Sequence, residues 1–375
     1  MTPAAAAFAD RLRRAGEVAA SRDVEVLFIT PGTDLRYLLG ITGESHERLT
    51  CLILPAEGHL APPALVVPRL EAPGLAGLGL DELGVEVVTW TDAEDPYRLV
   101  SDLAGGPTRM AVSDAMPAAH VFGLRDAFPE VGQSLAGPVL RELRMCKDTG
   151  EVAELRAAGA AIDRVHARMG EFLQVGRTEE QVGELITAAI VDEGHTDAAF
   201  VIVGSGPHGA SPHHDVSGRV IERGDVVVID IGGPLPSGYN SDSTRTYAVG
   251  AEPAAVVREQ YAVLQAAQEA SVAAVRPGVT AESVDAAARE PITAAGLGDR
   301  FVHRTGHGIG LDVHEEPYIV GGNTLPLAPG MAFSIEPGVY LDGEWGARIE
   351  DIVVVTADGC ERLNTRPRDL VVLSG

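Results

Sequence analysis

Four acidic residues sit in β-like runs of this chain: Asp230 in DVVVIDIG, Asp242 in YNSDSTRTYAV, Glu336 in MAFSIEP and Glu350 in ARIEDIVVV. They recur at matching offsets. Asp230 to Glu336 is 106 residues, Asp242 to Glu350 is 108, and Thr178 to Thr280, each opening a helix, is 102. Each half reads as a β-hairpin with one acid at the end of its first strand and another on its second. Two such hairpins packed face to face gather four carboxylates, and like charges in contact are costly, so a cation must sit among them. Four carboxylates contribute −4 and two divalent ions +4, which favours a dinuclear centre over a single metal. The segment GHGIGLDVHEEP adds His307 between Gly306 and Gly308, a constrained loop where backbone can approach closely. Carboxylate oxygens with one imidazole suit Mn, Co or Zn rather than copper or iron–sulfur chemistry, and softness alone does not choose among the three.

Taken singly, each residue has a bland reading. Asp230 or Asp242 could be a turn residue, Glu336 before Pro337 a strand-end charge, Glu350-Asp351 a solvated pair and His307 a loop histidine. The repeat at matching offsets outweighs those readings. His314 could simply hydrogen-bond its hairpin, and His303 and His208 are evenly balanced. His46, His59, His120, His166 and His195 lack convergent partners, and Glu47-Arg48 reads as a surface or interface feature. Gly204-Ser205-Gly206 is no phosphate loop, because it lacks the lysine and the helix start.

The elements that must position these groups are legible in outline. At 375 residues the chain has room for two domains. Short β-like runs (VEVLFI, RLTCLIL, PALVVP, VEVVTW, RMAVS) alternate with helical segments from Val24 to about Leu140, after a helix over Ala5–Ala20. Pro107, Pro117, Pro129 and Pro138 punctuate the approach to a boundary. Beyond it, capping boxes Asp148-x-x-Glu151 and Thr178-x-x-Gln181 open two amphipathic helices, the second stopping at Gly194. Strand-like runs AAFVIVG, RVI, DVVVIDIG and YNSDSTRTYAV follow. The order then repeats, with helices over Ala254–Val275 and from Thr280.

Composition removes several function classes. A formal charge of −25 repels nucleic acid and anionic lipid, and Lys147 is the sole lysine. Cys51, Cys146 and Cys360 are too few and scattered for a disulfide framework or thiolate site, so a cytoplasmic location is expected. No basic-then-apolar secretory pattern opens the chain, and no apolar run approaches the 18 or more residues of a membrane span.

The segments IDIGGPLPSGYNSDSTRT, HRTGHGIGLDVHEEP, SIEPGVY and GARIEDIVVV resemble the creatinase/methionine-aminopeptidase superfamily, most nearly its Xaa-Pro peptidases, prolidase and aminopeptidase P. ITPGTDLRYLLGI resembles the smaller N-terminal domain of that branch. The resemblance implies an α+β pita-bread catalytic domain with pseudo-twofold duplication over residues 141–375, preceded by a smaller α/β domain over 1–140. It implies that Asp230 chelates one metal, Asp242 and Glu350 bridge two, and His307 and Glu336 hold the other. It further implies that Glu336 relays a proton, that His213 (in preference to His214) and His314 approach the substrate, and that Arg348 and Tyr239 shape its site. The hairpin is one residue longer than the family's usual one, and the extra residue is expected in the Gly233–Gly238 turn. The implied activity is dinuclear-metal hydrolysis of an Xaa-Pro bond in a small peptide, with Mn foremost and Co or Zn as alternatives, in a homodimer without nucleic-acid or membrane partners. Chain length suggests dipeptides over longer peptides. Arg348, on the strand face of Glu350, could receive the proline carboxylate or pair with a neighbouring acid. A metal-free hydrolase, a binding module and a lyase on the same fold remain as alternatives.

Overall fold

The computed structural model describes residues 3–375, and the chain divides into two compact units, Met1–Arg144 and Met145–Gly375. The expected junction at 140/141 falls inside the helix Gly137–Met145. Pro138 stands in the first turn of that helix, where a missing N–H costs nothing, so it marks a helix start and not a linker.

The first unit is a six-stranded mixed sheet in the order Glu86–Trp90, Ala64–Pro68, Cys51–Pro55, Val26–Ile29, Arg109–Val112, Gly132–Leu135. Val26–Ile29 is wholly buried, antiparallel to Cys51–Pro55 and parallel to Arg109–Val112. Gly132–Leu135, with the sequence GQSL, is largely exposed and carries no apolar alternation that would betray a strand.

In the second unit each half contributes two helices and a sheet. Thr149–Ala167 and Glu179–Asp192 both start with complete capping boxes, from Asp148/Glu151 and Thr178/Gln181. Ala255–Ala274 and Ala281–Ala294 are their counterparts. The duplication extends to detail: isolated bridges join Thr178 to Val220 in one half and Thr280 to Pro326 in the other. The expected strand RVI is only that first bridge, because Arg219 and Ile221 turn to side-chain and loop contacts.

A four-stranded sheet runs Val371–Leu373, Asn240–Val249, Val226–Pro234, Phe200–Ser205; a five-stranded one runs Glu315–Ile319, Gly306–Gly308, Ala332–Ile335, Asp351–Val355, Cys360–Arg362. Strand side chains alternate between faces. Val227, Ile229 and Ile231 therefore join Ile162, Val165, Ile186 and Ile190 in one core, and Phe333, Ile335 and Val353 join Val284 and Met331 in the other. The intervening residues, Asp230 in the first half and Ser334 and Glu336 in the second, face away from the helices. The helix faces of the duplicated halves thus dictate which strand residues are free to meet.

The close backbone approach expected around His307 is present. A Cβ on Gly306 would stand 1.8 Å from the Ser334 carbonyl oxygen, and one on Gly308 2.2 Å from that of Glu316. Gly306→Ala is expected to destabilise the protein by about 3 kcal/mol or more in urea unfolding, because backbone and not a flexible side chain must yield. Gly359→Ala, with open space around it, should stay within about 0.5 kcal/mol of the parent.

Candidate metal centre

The hairpin Val226–Pro234/Asn240–Val249 is in unbroken register from Val226↔Ala248 to Pro234↔Asn240, with Asp230 opposite Thr244 and Asp242 opposite Gly232. Asp230 and Asp242 are therefore diagonal neighbours on one face. The continuous ladder leaves the hairpin's length to the loop 235–239, closed by bonds from the Leu235 N–H to the Tyr239 carbonyl and from the Gly238 N–H to the Leu235 carbonyl. Glu350 lies between the strands Trp345–Arg348 and Asp351–Val355, and its N–H donates to the Thr244 carbonyl at 3.1 Å. Glu336 follows Ala332–Ile335 and donates its N–H to the Thr305 carbonyl at 2.8 Å. These cross-ties bring all four acids and His307 to the wall of one cavity of about 970 Å³.

Distances within the cluster are short. His307 Nε2 lies 3.2 Å from Glu336 Oε1 and 3.6 Å from Asp242 Oδ2. Its Nδ1 sits 3.1 Å from the Gly308 carbonyl, so the Nδ1–H donates there and Nε2 faces the acids. Thr244 donates to Glu350 Oε2 at 2.8 Å, and Ser334 to Glu336 Oε1 at 3.0 Å. Asp242, His307 and Glu350 offer ligand atoms that all fall within 4.8 Å of one another. Burial, then the charge of Asp230, pushes the Asp242 carboxyl well above its usual range, and burial with Asp242 does the same to Glu350. Burial would raise Glu336 too, but the hydrogen bond and charge of His307 hold it at about 2. Burial opposes the His307 imidazolium, yet Glu336 and Asp242 raise its pKa.

The donor set fits divalent metal. Asp230 Oδ1 and Glu350 Oε1 are buried without a hydrogen-bond partner, and a buried unsatisfied carboxylate oxygen carries a full desolvation cost that a cation removes. Four carboxylates and one imidazole without sulfur match the hard-to-borderline ions expected above.

The other predicted residues separate. His213 and His314 line the cavity. His314 packs edge-on to His307 with ring centroids 4.2 Å apart, and burial, His307 and Arg304 depress its pKa to about 4. The His213-His214 doublet is split: His214 also borders the cavity, but its Nε2 bonds Glu179 at 2.8 Å. One assignment needs correction. Tyr239 is absent from the cavity wall, since its hydroxyl donates to Glu151 at 2.7 Å within an apolar cluster containing Leu155 and Ile309. Arg348 does border the cavity, but its Nη2 donates to Asp230 Oδ2 at 2.5 Å, Nη1 to the Tyr340 hydroxyl at 2.7 Å and Nε to Thr244 at 3.1 Å. It pairs with an acid of the cluster, the second of the two roles expected for it.

Sequence reasoning missed Tyr340 and left His303 undecided. His303 Nδ1–H donates to the Arg304 carbonyl, and its Nε2 accepts from the Tyr340 hydroxyl at 2.8 Å, closing a chain from Arg348 through Tyr340 to His303. Burial pushes Tyr340 up to about 12, so it stays a neutral donor. Tyr340 could have been found as the inward residue two positions beyond Gly338 on the strand leaving Glu336. His208, the other balanced histidine, joins His214, Ser205 and Ser217 around Glu179. Asp351, offered as solvated, is fully buried and paired with Arg245 at 2.8 Å.

Comparison with known proteins bears on this arrangement. The model of "Metallopeptidase family M24" matches residues 153–357, and that of the "Creatinase/Prolidase N-terminal domain" matches 11–146. The chain is 57% identical over 367 residues to "Probable dipeptidase PepE" of Mycobacterium tuberculosis, covering 98% of this chain and 96% of the relative. It is 34% identical to the "Xaa-Pro dipeptidase" of Lactobacillus helveticus, covering 93% and 95%. The crystal structure of dipeptidase PepE from Mycobacterium ulcerans superposes with a TM-score of 0.93 at 56% identity, over 98% of both chains. No helix among the described residues is long and apolar enough to cross a membrane.

Chelation should lower the melting temperature at pH 7.5, with a smaller gap between metal-loaded and metal-free protein at pH 5. The sign follows from the carboxyls. For Asp242 and Glu350 the folded pKa is raised above 3.8 and 4.5, so the metal-free fold has their contribution in full below those values and loses it as pH rises through the folded pKa. Glu336, held at about 2, is lost only in stronger acid, below this window. Scanning fluorimetry at both pH values checks the prediction, and an equal gap contradicts it.

Proposed function

This chain belongs to metallopeptidase family M24, and from that premise we propose that it hydrolyses the Xaa-Pro bond of dipeptides with two divalent metal ions, Mn foremost. The observation that carries the reading is the pair of orphaned carboxylate oxygens, Asp230 Oδ1 and Glu350 Oε1, in a cavity shared with Asp242, Glu336 and His307. Asp230 and His307 would each hold one ion, Glu336 would join His307, and Asp242 and Glu350 would bridge. When bound, such ions supply Lewis acidity and make a water nucleophilic near neutral pH.

The chain's own side chains divide the remaining work. Glu336, kept deprotonated by His307, accepts the proton of the attacking water and passes it to the leaving proline nitrogen. His314, with its pKa at about 4, is neutral at working pH and donates an N–H to the oxyanion. Tyr340, anchored between Arg348 and His303, presents a neutral hydroxyl beside the same cluster. Phe200, Val201, Ile202 and Val313 give the cavity an apolar wall suited to a side chain and a pyrrolidine ring. His213 stands exposed at the cavity and is placed to meet the proline end. The dipeptide preference draws support from the relatives named as dipeptidases. Free thiols at Cys51 and Cys360 support a reducing compartment.

The deciding assay sets an Xaa-Pro dipeptide beside an Xaa-Pro-Yaa tripeptide with Mn, Co or Zn added. Cleavage of the dipeptide is expected to dominate, and faster tripeptide turnover moves the assignment to an aminopeptidase. Asp242→Ala and Glu350→Ala should each reduce bound metal below two per chain by elemental analysis. They should cost activity more than the roughly 100-fold of a lost outer contact to a metal ligand. Two ions retained in either variant rejects the bridging roles. His307→Ala should release one ion before the other, and parallel loss of both would contradict that division.

A further inference from the structure

A carboxylate entering this cavity has to be met by a positive charge, because the walls already carry Asp215, Asp230, Asp242, Glu336 and Glu350. Two arginines border the cavity. Arg348 is buried and committed to Asp230, Tyr340 and Thr244. Arg304 is different: it is half-buried, its guanidinium carbon lies 4.4 Å from the centroid of the Tyr318 ring, and it has no carboxylate partner among the described residues. Two other partly buried arginines of this unit are committed to acids, Arg219 to Asp225 and Arg289 to Asp285.

We infer that Arg304, stacked on Tyr318, forms the subsite for the free carboxylate of the C-terminal residue of a dipeptide. The inference rests on the peptidase reading of the cavity and supplies the cation that Arg348 cannot. Stacking on an aromatic ring uses the face of a guanidinium and leaves its N–H edge free for a bidentate carboxylate pair. The backbone on both sides is pinned. His303 takes an N–H from Arg289 on its carbonyl at 2.8 Å and donates to the Arg304 carbonyl at 2.7 Å; Thr305 gives its N–H and hydroxyl to Asp285 at 3.2 and 2.7 Å. Little conformational freedom remains to be lost when a carboxylate binds. Arg304 lines the same cavity as His307 and His314, which places its charge beside the reacting end. An amide in place of the carboxylate lacks the negative charge and turns one acceptor into a donor, so the subsite must discriminate between them.

The experiment compares Ala-Pro with Ala-Pro-amide in the metal-loaded enzyme. The parent should favour the acid, and Arg304→Gln should lower the acid-to-amide ratio of kcat/KM at least ten-fold, chiefly through the KM of the acid. Arg304→Lys should restore part of the ratio, and Tyr318→Phe should keep it while Tyr318→Ala lowers it. Titration calorimetry with L-proline and L-prolinamide gives a readout independent of turnover: proline binding should weaken at least ten-fold in Arg304→Gln, and prolinamide binding should not follow. A ratio unmoved by Arg304→Gln, or equal loss of acid and amide, overturns the subsite. Failure to cleave either substrate, with proline still bound through Arg304, overturns the peptidase reading and leaves the subsite standing.

Discussion

The mutual repulsion of four buried carboxylates is the constraint on which the catalytic unit is organised. Asp230, Asp242, Glu336 and Glu350 come from four separate strands or strand ends, and nothing in packing alone would assemble them. Around them the chain places what neutral side chains can offer: Thr244 to Glu350, Ser334 to Glu336. It adds one guanidinium, from Arg348, and one imidazole, from His307. Those groups do not balance the charge, which is why the carboxyls of Asp242 and Glu350 are driven upward while Glu336 is held down. The unequal carboxyls express a site that folds around charge it does not itself neutralise.

The duplication explains how such a site can be built at modest cost in stability. Each half has its own apolar core between a helix pair and one sheet face, with Val227, Ile229 and Ile231 in one and Phe333, Ile335 and Val353 in the other. The opposite faces are spared from core duty and are free to carry acids. The strand Asn240–Val249 then couples the halves through its backbone and its threonines: the Thr244 carbonyl accepts from Glu350, and Thr246 exchanges hydrogen bonds with the backbone of Arg348. A polar seam of this kind fixes register, since a slip by one residue would turn the acids into the cores.

What could be read from sequence follows the same division. Periodicity and capping boxes announce the helices after Asp148 and Thr178, and the recurrence of acids at offsets of 106 and 108 exposes the repeat. These signals are local or are carried by residue identity alone. Tyr239 misled because resemblance conveys a residue type and a position along the chain. The side chain's direction depends on Glu151, 88 residues away, which takes its hydroxyl. Asp351 was illegible for a similar reason, as Arg245 is 106 residues distant. The edge strand Gly132–Leu135 and the short strand Gly306–Gly308 have too little side-chain pattern to show before pairing, and their existence is settled by neighbours.

Arg348 shows how two readings of one residue are decided by burial. The strand position that directs it toward the acids also encloses it: its side chain is 2% exposed and donates to Asp230, Tyr340, Thr244 and the Pro212 carbonyl. To recruit it for a substrate, Asp230 would have to give up this guanidinium contact while already holding one orphaned oxygen. A buried charge stripped of its partner is penalised far more than an exposed one gains from a new partner. Arg348 therefore belongs to the framework that orients Asp230 and, through Tyr340, His303. Recognition of an incoming anion falls to a cation that meets solvent before substrate arrives, because only such a group can exchange water for a carboxylate without breaking the framework.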